Sequence, residues 1–341
     1  MDTFAGIDLH GNNNFIGIID QDSKRLYAKR HSNNMDSILK VLKPFKSTLK
    51  GVVVESTYNW YWLIDGLQDN GYTVHLANPA AIKTYDGLKH TNDKWDSFWL
   101  AHMLRLNLLP TGYIYPKAER PTRDLLRRRL MFVRQRTAHI LSLQSMISRN
   151  NGANYSGAAI KQFTERYAKK FFTSPQHILT AKNNISTIQF FNDIIKVIEK
   201  DVMEQVKLKK EFQMIRTIPG IGPILGLTIM LEVGNIKRFP KAGDYSSYCR
   251  CVESRKISNG KKKGQNNKKN VNKYLSWAYV EGSNFAIRYC SYCQKFFQRK
   301  MSKSSNNRVL AIKALANKLS KASFYLMRDQ VPYDPKKLFC S

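Results

Sequence analysis

The first 110 residues alternate between strand-like and helix-like patterns of apolar positions. Thr3–Leu9 (TFAGIDL), Asn14–Ile19 (NFIGII) and Arg25–Lys29 are short β-type runs, split by the turn clusters Gly11-Asn12-Asn13 and Asp20–Ser23. Three consecutive strands with tight turns predict an antiparallel meander. Met35–Leu42 predicts a short helix. Gly51–Glu55 (GVVVE) is a continuous apolar run, as expected of a strand buried on both faces. Tyr58–Asn70 reads as a helix, Tyr72–Ala77 as a strand and Asp93–Leu106 as a helix.

After Pro116 the period lengthens. Leu126, Leu130, Val133, Ile140 and Ile147 fall on one helical stripe, and Ile188, Phe191, Ile195, Ile198 and Val202 on a second. Between the stripes, Asn150–Gly157 is a polar, Gly-containing turn. The pair predicts an antiparallel coiled-coil-like arm with a basic outer face that includes Arg127, Arg128 and Arg129; a helical bundle with a solvated face fits the same pattern. From Thr217 the texture changes again. The turn IPGIGP precedes an apolar helix over Ile224–Val233, and helical signals resume at Tyr274–Ile287 and Val309–Met327, where Ile312, Leu315, Leu319, Ala322 and Leu326 share a face. The predicted class is α/β plus all-α. Meander, helix, strand, helix, strand, helix over residues 1–115 is the order of an RNase-H-like domain; a basic helical coiled-coil segment follows over 116–210, and a mainly helical C-terminal domain over 211–341.

Charge sharpens this division. The chain has 341 residues, 56 Lys+Arg against 25 Asp+Glu, a net charge of +31 and a pI near 10.0. By segment the net charge is +1, +12 and +18. A near-neutral first third beside two basic thirds points to an acidic-site domain joined to polyanion-binding parts, and nucleic acid is the first candidate. With 43 % hydrophobic and 11 % aromatic residues the chain can bury real cores. The longest apolar stretch, Ile224–Val233, is far short of the roughly 20 residues of a membrane span. Five cysteines, an odd number, argue against a disulfide framework. A soluble, cytoplasmic protein with no membrane partner is expected.

Four carboxylates of the first segment sit where chemistry can use them. Asp8 lies in the first strand (GIDLH) and Glu55 ends the buried strand (GVVVES), while Asp93 and Asp96 in TNDKWDSFWLA are spaced to share a helix face. If strands one and four are central neighbours and the late helix packs beside them, the four converge. Crowded carboxylates repel unless cations neutralise them, and hard oxygen ligands suit Mg²⁺ or Mn²⁺. Two such ions about 4 Å apart support phosphodiester chemistry. Singly, Asp93 and Asp96 also fit a helix N-terminus and Glu55 an ordinary surface position.

Ser258 sits in KISNGKKKG, where Asn259-Gly260 permits a turn that exposes its hydroxyl. Around it Arg255, Lys256, Lys261, Lys262, Lys263, Lys268, Lys269 and Lys273 form a run with no acidic residue, suited to phosphate. A loop serine beside non-catalytic phosphate contacts reads the same way. The PGIG turn resembles a helix-hairpin-helix element, and also a plain interhelical turn. Cys249-Arg-Cys251 and Cys290-Ser-Tyr-Cys293 fit either zinc ligands or buried thiols.

The order GIDLH, VVVEST, a DxxD opening a helix, and then PGIGPILGLTIMLEVGNIKRF resembles the IS-one-ten insertion-sequence transposases. SNGKKKGQNNKKNVNKYLSWAYVEGSNFAIRY followed by VLAIKALANKLSKASFYLMRD is similar to the C-terminal domain of their IS-eleven-eleven branch. The resemblance implies a RuvC-like domain with the DEDD set Asp8, Glu55, Asp93 and Asp96 holding Mg²⁺ (Mn²⁺ possible), a coiled-coil segment, and a C-terminal domain with Ser258 as the nucleophile. It also implies a homo-oligomeric (dimer or tetramer) recombinase in a prokaryotic nucleoid. A non-coding bridge RNA would guide such a recombinase to donor and target double-stranded DNA. Ser97, Glu253 and Val271 depart from the pattern, which has alanine, proline and glycine there. Two other readings stay open on the residues alone: a RuvC-like, metal-dependent, structure-specific nuclease with Ser258 incidental, and a non-catalytic nucleic-acid-binding protein.

Overall fold

A computed structural model describes residues 1–78, 82, 92–206, 209–253, 257–263 and 272–339. The chain divides into two units, Met1–Lys117 and Ala118–Ser341.

The first unit is a five-stranded mixed sheet with helices on both faces. Strands β1 (Thr3–Leu9), β2 (Asn13–Asp20) and β3 (Arg25–Ser32) form the antiparallel meander that the turn clusters predict. After α1 (Met35–Leu42), β4 (Leu49–Glu55) returns parallel to β1; after α2 (Tyr61–Asp69), β5 (Val74–Ala77) adds parallel to β4. The sheet order is therefore β3-β2-β1-β4-β5, and α3 (Asp93–Arg105) follows.

The period of two along each strand separates two cores. Ala5, Ile7, Leu9, Ile16, Ile18, Val52 and Val54 face Ile38 and Leu42 of α1 and Leu63, Ile64 and Leu67 of α2. The other face carries Gly6, Gly17, Ile19 and Val53 beneath Phe98, Leu100, Ala101 and Met103 of α3. On that face α3 lies almost on the backbone. A Cβ on Gly6 would stand 2.0 Å from the Ser97 carbonyl oxygen and 2.9 Å from the Ala101 nitrogen. Ser97 is fully buried, and its hydroxyl donates to the Lys94 carbonyl oxygen at 2.9 Å. A small residue is what this contact needs, so serine serves there as alanine would.

Among its described residues, the regular structure of the second unit is helical apart from one hairpin. Two 32-residue helices, α4 (Arg120–Asn151) and α7 (Pro175–Val206), run antiparallel, as Thr122–Gln205, Arg129–Glu199, Arg136–Asn192 and His139–Asn184 contacts show. The connection between them is more than the polar turn expected from its sequence. It includes the short helices α5 (Gly157–Ile160) and α6 (Arg166–Phe171), where Ile160, Phe163, Ala168 and Phe172 close a small core against Ile140, Leu143, Ile147, Ile185 and Ile188.

The opposite end of the helix pair, at Leu126, Ile198, Val202 and Val206, joins a larger core. That core is built by α8 (Lys210–Arg216), α9 (Pro223–Val233), α10 (Ala242–Tyr248), α11 (Lys273–Tyr289), α12 (Ser291–Lys303) and α13 (Arg308–Asp329), and α14 (Pro335–Phe339) ends the chain. Between α10 and α11 lies the hairpin β6 (Ile257–Ser258) and β7 (Lys261–Lys262). Among the described residues no helix is long and apolar enough to cross a membrane.

Glu232, only 3 % exposed on the apolar helix α9, is neutralised by Arg127 of α4, which donates to both carboxylate oxygens. Asn272 donates to Glu232 Oε2 at 2.7 Å, and its own side-chain oxygen caps the start of α11. One buried carboxylate thus ties α4, α9 and α11 together.

Gly6→Ala is expected to lower unfolding stability by about 1–3 kcal/mol, because α3 must move to admit the methyl group. Gly243→Ala, in α10 with nothing within 4 Å of the added carbon, is expected to be neutral or stabilising. Chemical denaturation of the two variants beside the wild type checks both.

Candidate active site

The sheet register dictates where the acidic side chains meet. Ile7 pairs with Val54 across the parallel β1–β4 ladder, so the next residues on each strand, Asp8 and Glu55, are neighbours. By alternation Asp8 shares the face of Gly6, and Glu55 that of Val53, which is the face that α3 covers. The first turn of α3 carries Asp93 and Asp96 over the same spot, held there by Asn92, whose side chain accepts from the Trp95 N–H at 2.8 Å. All four carboxylates therefore face one another. Asp8 is 4 % exposed. His10 and Arg30 complete the cluster. His10 Nε2 lies 3.3 Å from Asp8 Oδ2 and 3.3 Å from Asp93 Oδ1, and Arg30 donates to Asp93 Oδ2.

The electrostatics follow from crowding. Burial pushes the Glu55 carboxyl up to about 8, aided by its hydrogen bond to Asp8 and the charges of Asp8 and Asp96. Asp96 rises to about 6, from burial first and then the charges of Asp8 and Asp93. Burial raises Asp8 as well, opposed by Glu55, His10 and Arg30. Near neutral pH, then, Glu55 retains a proton and donates it to Asp8. Asp96 Oδ1 is buried with no hydrogen-bond partner. An orphaned carboxylate oxygen among carboxyls that resist ionisation is a set of donors suited to a divalent cation.

Residues 5–150 match the DEDD transposase model of IS110, described as Transposase, and residues 212–298 match the model described as Transposase IS116/IS110/IS902 family. The chain belongs to the IS110 family of transposases. No curated protein matches it. A DEDD transposase domain points to a divalent metal, and in this IS110-family chain Asp8, His10 and Asp93 offer ligand atoms within 4.8 Å of one another.

The segment matched to the IS116/IS110/IS902 family contains Ser258. Ser258 pairs with Lys261 at the mouth of a two-residue turn whose central residues, Asn259 and Gly260, have φ of 49° and 70°. Asn-Gly is the sequence such a left-handed turn requires. Ser258, Lys261, Lys263 and Lys273 are exposed. Arg255, Lys256, Lys268, Lys269 and Val271 lie outside the described residues. Within the arm, Arg128 is exposed, whereas Arg127 is engaged with Glu232 and Arg129 with Glu199.

The PGIG turn links α8 to α9, and Gly220 packs onto α11: a Cβ there would lie 2.4 Å from the Ala286 nitrogen. Cys249, Cys251 and Cys293 are buried, and burial raises their thiols, those of Cys251 and Cys293 to about 12. Among the described residues the only metal-capable group of three or more is Asp8, His10 and Asp93.

Sequence reasoning passed over His10 and Arg30. His10 was visible in principle, since two residues beyond Asp8 on an extended chain the side chain returns to the same side. Arg30 was not. It reaches the site because Asp8 pairs with Phe15 and Phe15 with Arg30, a row across three strands that only the register reveals.

Because Glu55 titrates far above its ordinary 4.5, the unfolded chain releases this proton first as pH rises. The metal-free protein therefore loses stability between about 4.5 and about 8, with Asp96 contributing between 3.8 and about 6. Thermal unfolding without divalent metal should show a midpoint that falls across this window, and Glu55→Gln should flatten the fall. Added Mg²⁺ or Mn²⁺ should raise the midpoint most at the alkaline end, and little in the Gln variant.

Proposed function

We propose that this transposase is a DNA recombinase of an insertion sequence, guided by a bridge RNA from its own element. It cuts and rejoins donor and target DNA through a phosphoserine link at Ser258. The observation that carries the reading is that one chain holds a four-carboxylate cluster on β1, β4 and α3 together with an exposed serine on a lysine-flanked hairpin in the second family-matched segment.

In the cleavage step the Ser258 Oγ forms a bond to the scissile phosphorus, the phosphorus–oxygen bond to one deoxyribose breaks, the serine proton passes to a carboxylate or water, and the departing deoxyribose oxygen takes up a proton to leave as a hydroxyl. Rejoining is the reverse: a deoxyribose hydroxyl attacks the phosphoserine and Ser258 leaves, recovering a proton. The base of the hairpin fixes the serine backbone, and Lys261 and Lys263 lie close in sequence to balance charge that develops on the phosphate oxygens. Asp8, Glu55, Asp93 and Asp96 would hold Mg²⁺ or Mn²⁺, and the bound ion would supply charge neutralisation to phosphate oxygens.

Arg128 and Lys273, with Arg255, Lys256, Lys268 and Lys269, contribute salt-sensitive phosphate contacts. Base pairing with the RNA selects the sequence, so few side chains need read bases. A dimer or tetramer presents enough copies of the site for the strands of two duplexes.

Ser258→Ala and Asp8→Asn are each expected to abolish recombination, and Ser258→Ala also the covalent protein–DNA adduct seen on denaturing gels. RNA that survives a high-salt wash of the purified protein should be one discrete species from an element flank. Full strand cleavage by Ser258→Ala would instead assign a metal-dependent, structure-specific nuclease in which Ser258 is incidental.

A further inference from the structure

We propose that His10 is a nitrogen ligand of the divalent metal in the carboxylate site, and that it makes this site select Mn²⁺ over Mg²⁺. The proposal rests on the reading of Asp8 and Asp93 as metal ligands.

Distance separates this role from a simple ion pair. His10 Nε2 stands 3.3 Å from both Asp8 Oδ2 and Asp93 Oδ1. Hydrogen bonds between an imidazolium and a carboxylate draw in to about 2.7–2.9 Å, and neither contact does. Adjacent ligands on a six-coordinate ion with bonds of about 2.0–2.2 Å are roughly 3 Å apart. The three atoms all lie within 4.8 Å of one another, near enough for one ion to draw them into its coordination shell.

The imidazole is also held from its backbone. The His10 N–H donates to the Asn13 carbonyl oxygen at 2.8 Å, and the His10 carbonyl oxygen accepts from Asn33 Nδ2 and Asn59 Nδ2, each at 3.0 Å. Those partners come from the start of β2, the residue after β3 and the segment between β4 and α2, so three stretches of chain fix one residue. Asp93 divides its oxygens, Oδ1 toward His10 and Oδ2 toward Arg30, which leaves Oδ1 free of the guanidinium. Side-chain exposure rises from 5 % at Asp8 through 28 % at Asp93 to 42 % at His10. The triangle thus opens to solvent on the imidazole side, where water or a phosphate oxygen completes the coordination.

The chemistry of selection follows from the donor. Carboxylate oxygens bind Mg²⁺ and Mn²⁺ alike, but an imidazole nitrogen is a softer donor that favours the first-row transition ions, of which Mn²⁺ is the weakest binder, over Mg²⁺.

The test is pulsed electron spin-echo spectroscopy of Mn²⁺ bound to the full-length protein, with Mn²⁺ and Mg²⁺ affinities measured by calorimetry. Asp8→Asn, expected to abolish Mn²⁺ binding, assigns the bound ion to this site. The expected result is nitrogen modulation of the Mn²⁺ echo that disappears in both His10→Ala and His10→Gln. In those variants Mn²⁺ binding should weaken about tenfold or more, while Mg²⁺ binding changes by less than about twofold. Circular dichroism confirms that both remain folded, as a half-exposed side chain allows. Mn²⁺ bound through Asp8 without nitrogen modulation, or with modulation that survives in both variants, overturns the role of His10 and leaves the carboxylate site standing. No Mn²⁺ binding sensitive to Asp8→Asn overturns the metal site itself.

Discussion

The close approach of α3 to the sheet is the constraint on which the acidic site depends. A helix resting on side chains of ordinary size stands clear of the sheet backbone. Here the missing side chain of Gly6 and the small Ser97 and Ala101 let backbone meet backbone. The first turn of the helix is thereby brought down onto the ends of β1 and β4, where Asp8 and Glu55 already stand side by side. A larger residue at either surface would lift Asp93 and Asp96 away from their partners, although no carboxylate had been altered.

That geometry is electrostatically unfavourable by itself. Four carboxyl groups with a low-dielectric sheet behind them cannot all ionise, and the protein answers with a retained proton at Glu55, the His10 imidazole and the Arg30 guanidinium. Each is a substitute for a cation. The second unit treats a buried acid differently: Glu232 receives both a bidentate arginine and an asparagine, leaving nothing for a ligand to satisfy. A fully paired carboxylate organises helices, whereas a partly paired cluster with an orphaned oxygen remains available for chemistry.

Much of this was legible in the residues. The meander, the buried strand GVVVE and the helix opening at Asp93 carry local signals strong enough to place them within a few residues. The stripes of α4, α7 and α13 likewise face their cores, because a period near 3.6 leaves one side to bury. Less legible were α10, α12 and the pair α5 and α6, which are short or polar and gain their helical form from neighbours. The basic run Arg127–Arg129 reads as one uniform charge patch. Its division into two paired arginines and an exposed one depends on which way each side chain turns on α4, and on acids 70 and 105 residues away.

By itself, then, the sequence determined the strands and the longer amphipathic helices, the division into a near-neutral α/β part and basic helical parts, the four candidate carboxylates and the turn that exposes Ser258, because each is written in contiguous residues. Only the tertiary structure decided which groups share the acidic site and in what protonation state. Proximity of Asp8 to Arg30 is a matter of strand register, and proximity to Asp93 a matter of how closely a helix can approach glycine. The proton on Glu55 is a consequence of burial, which no single residue type carries.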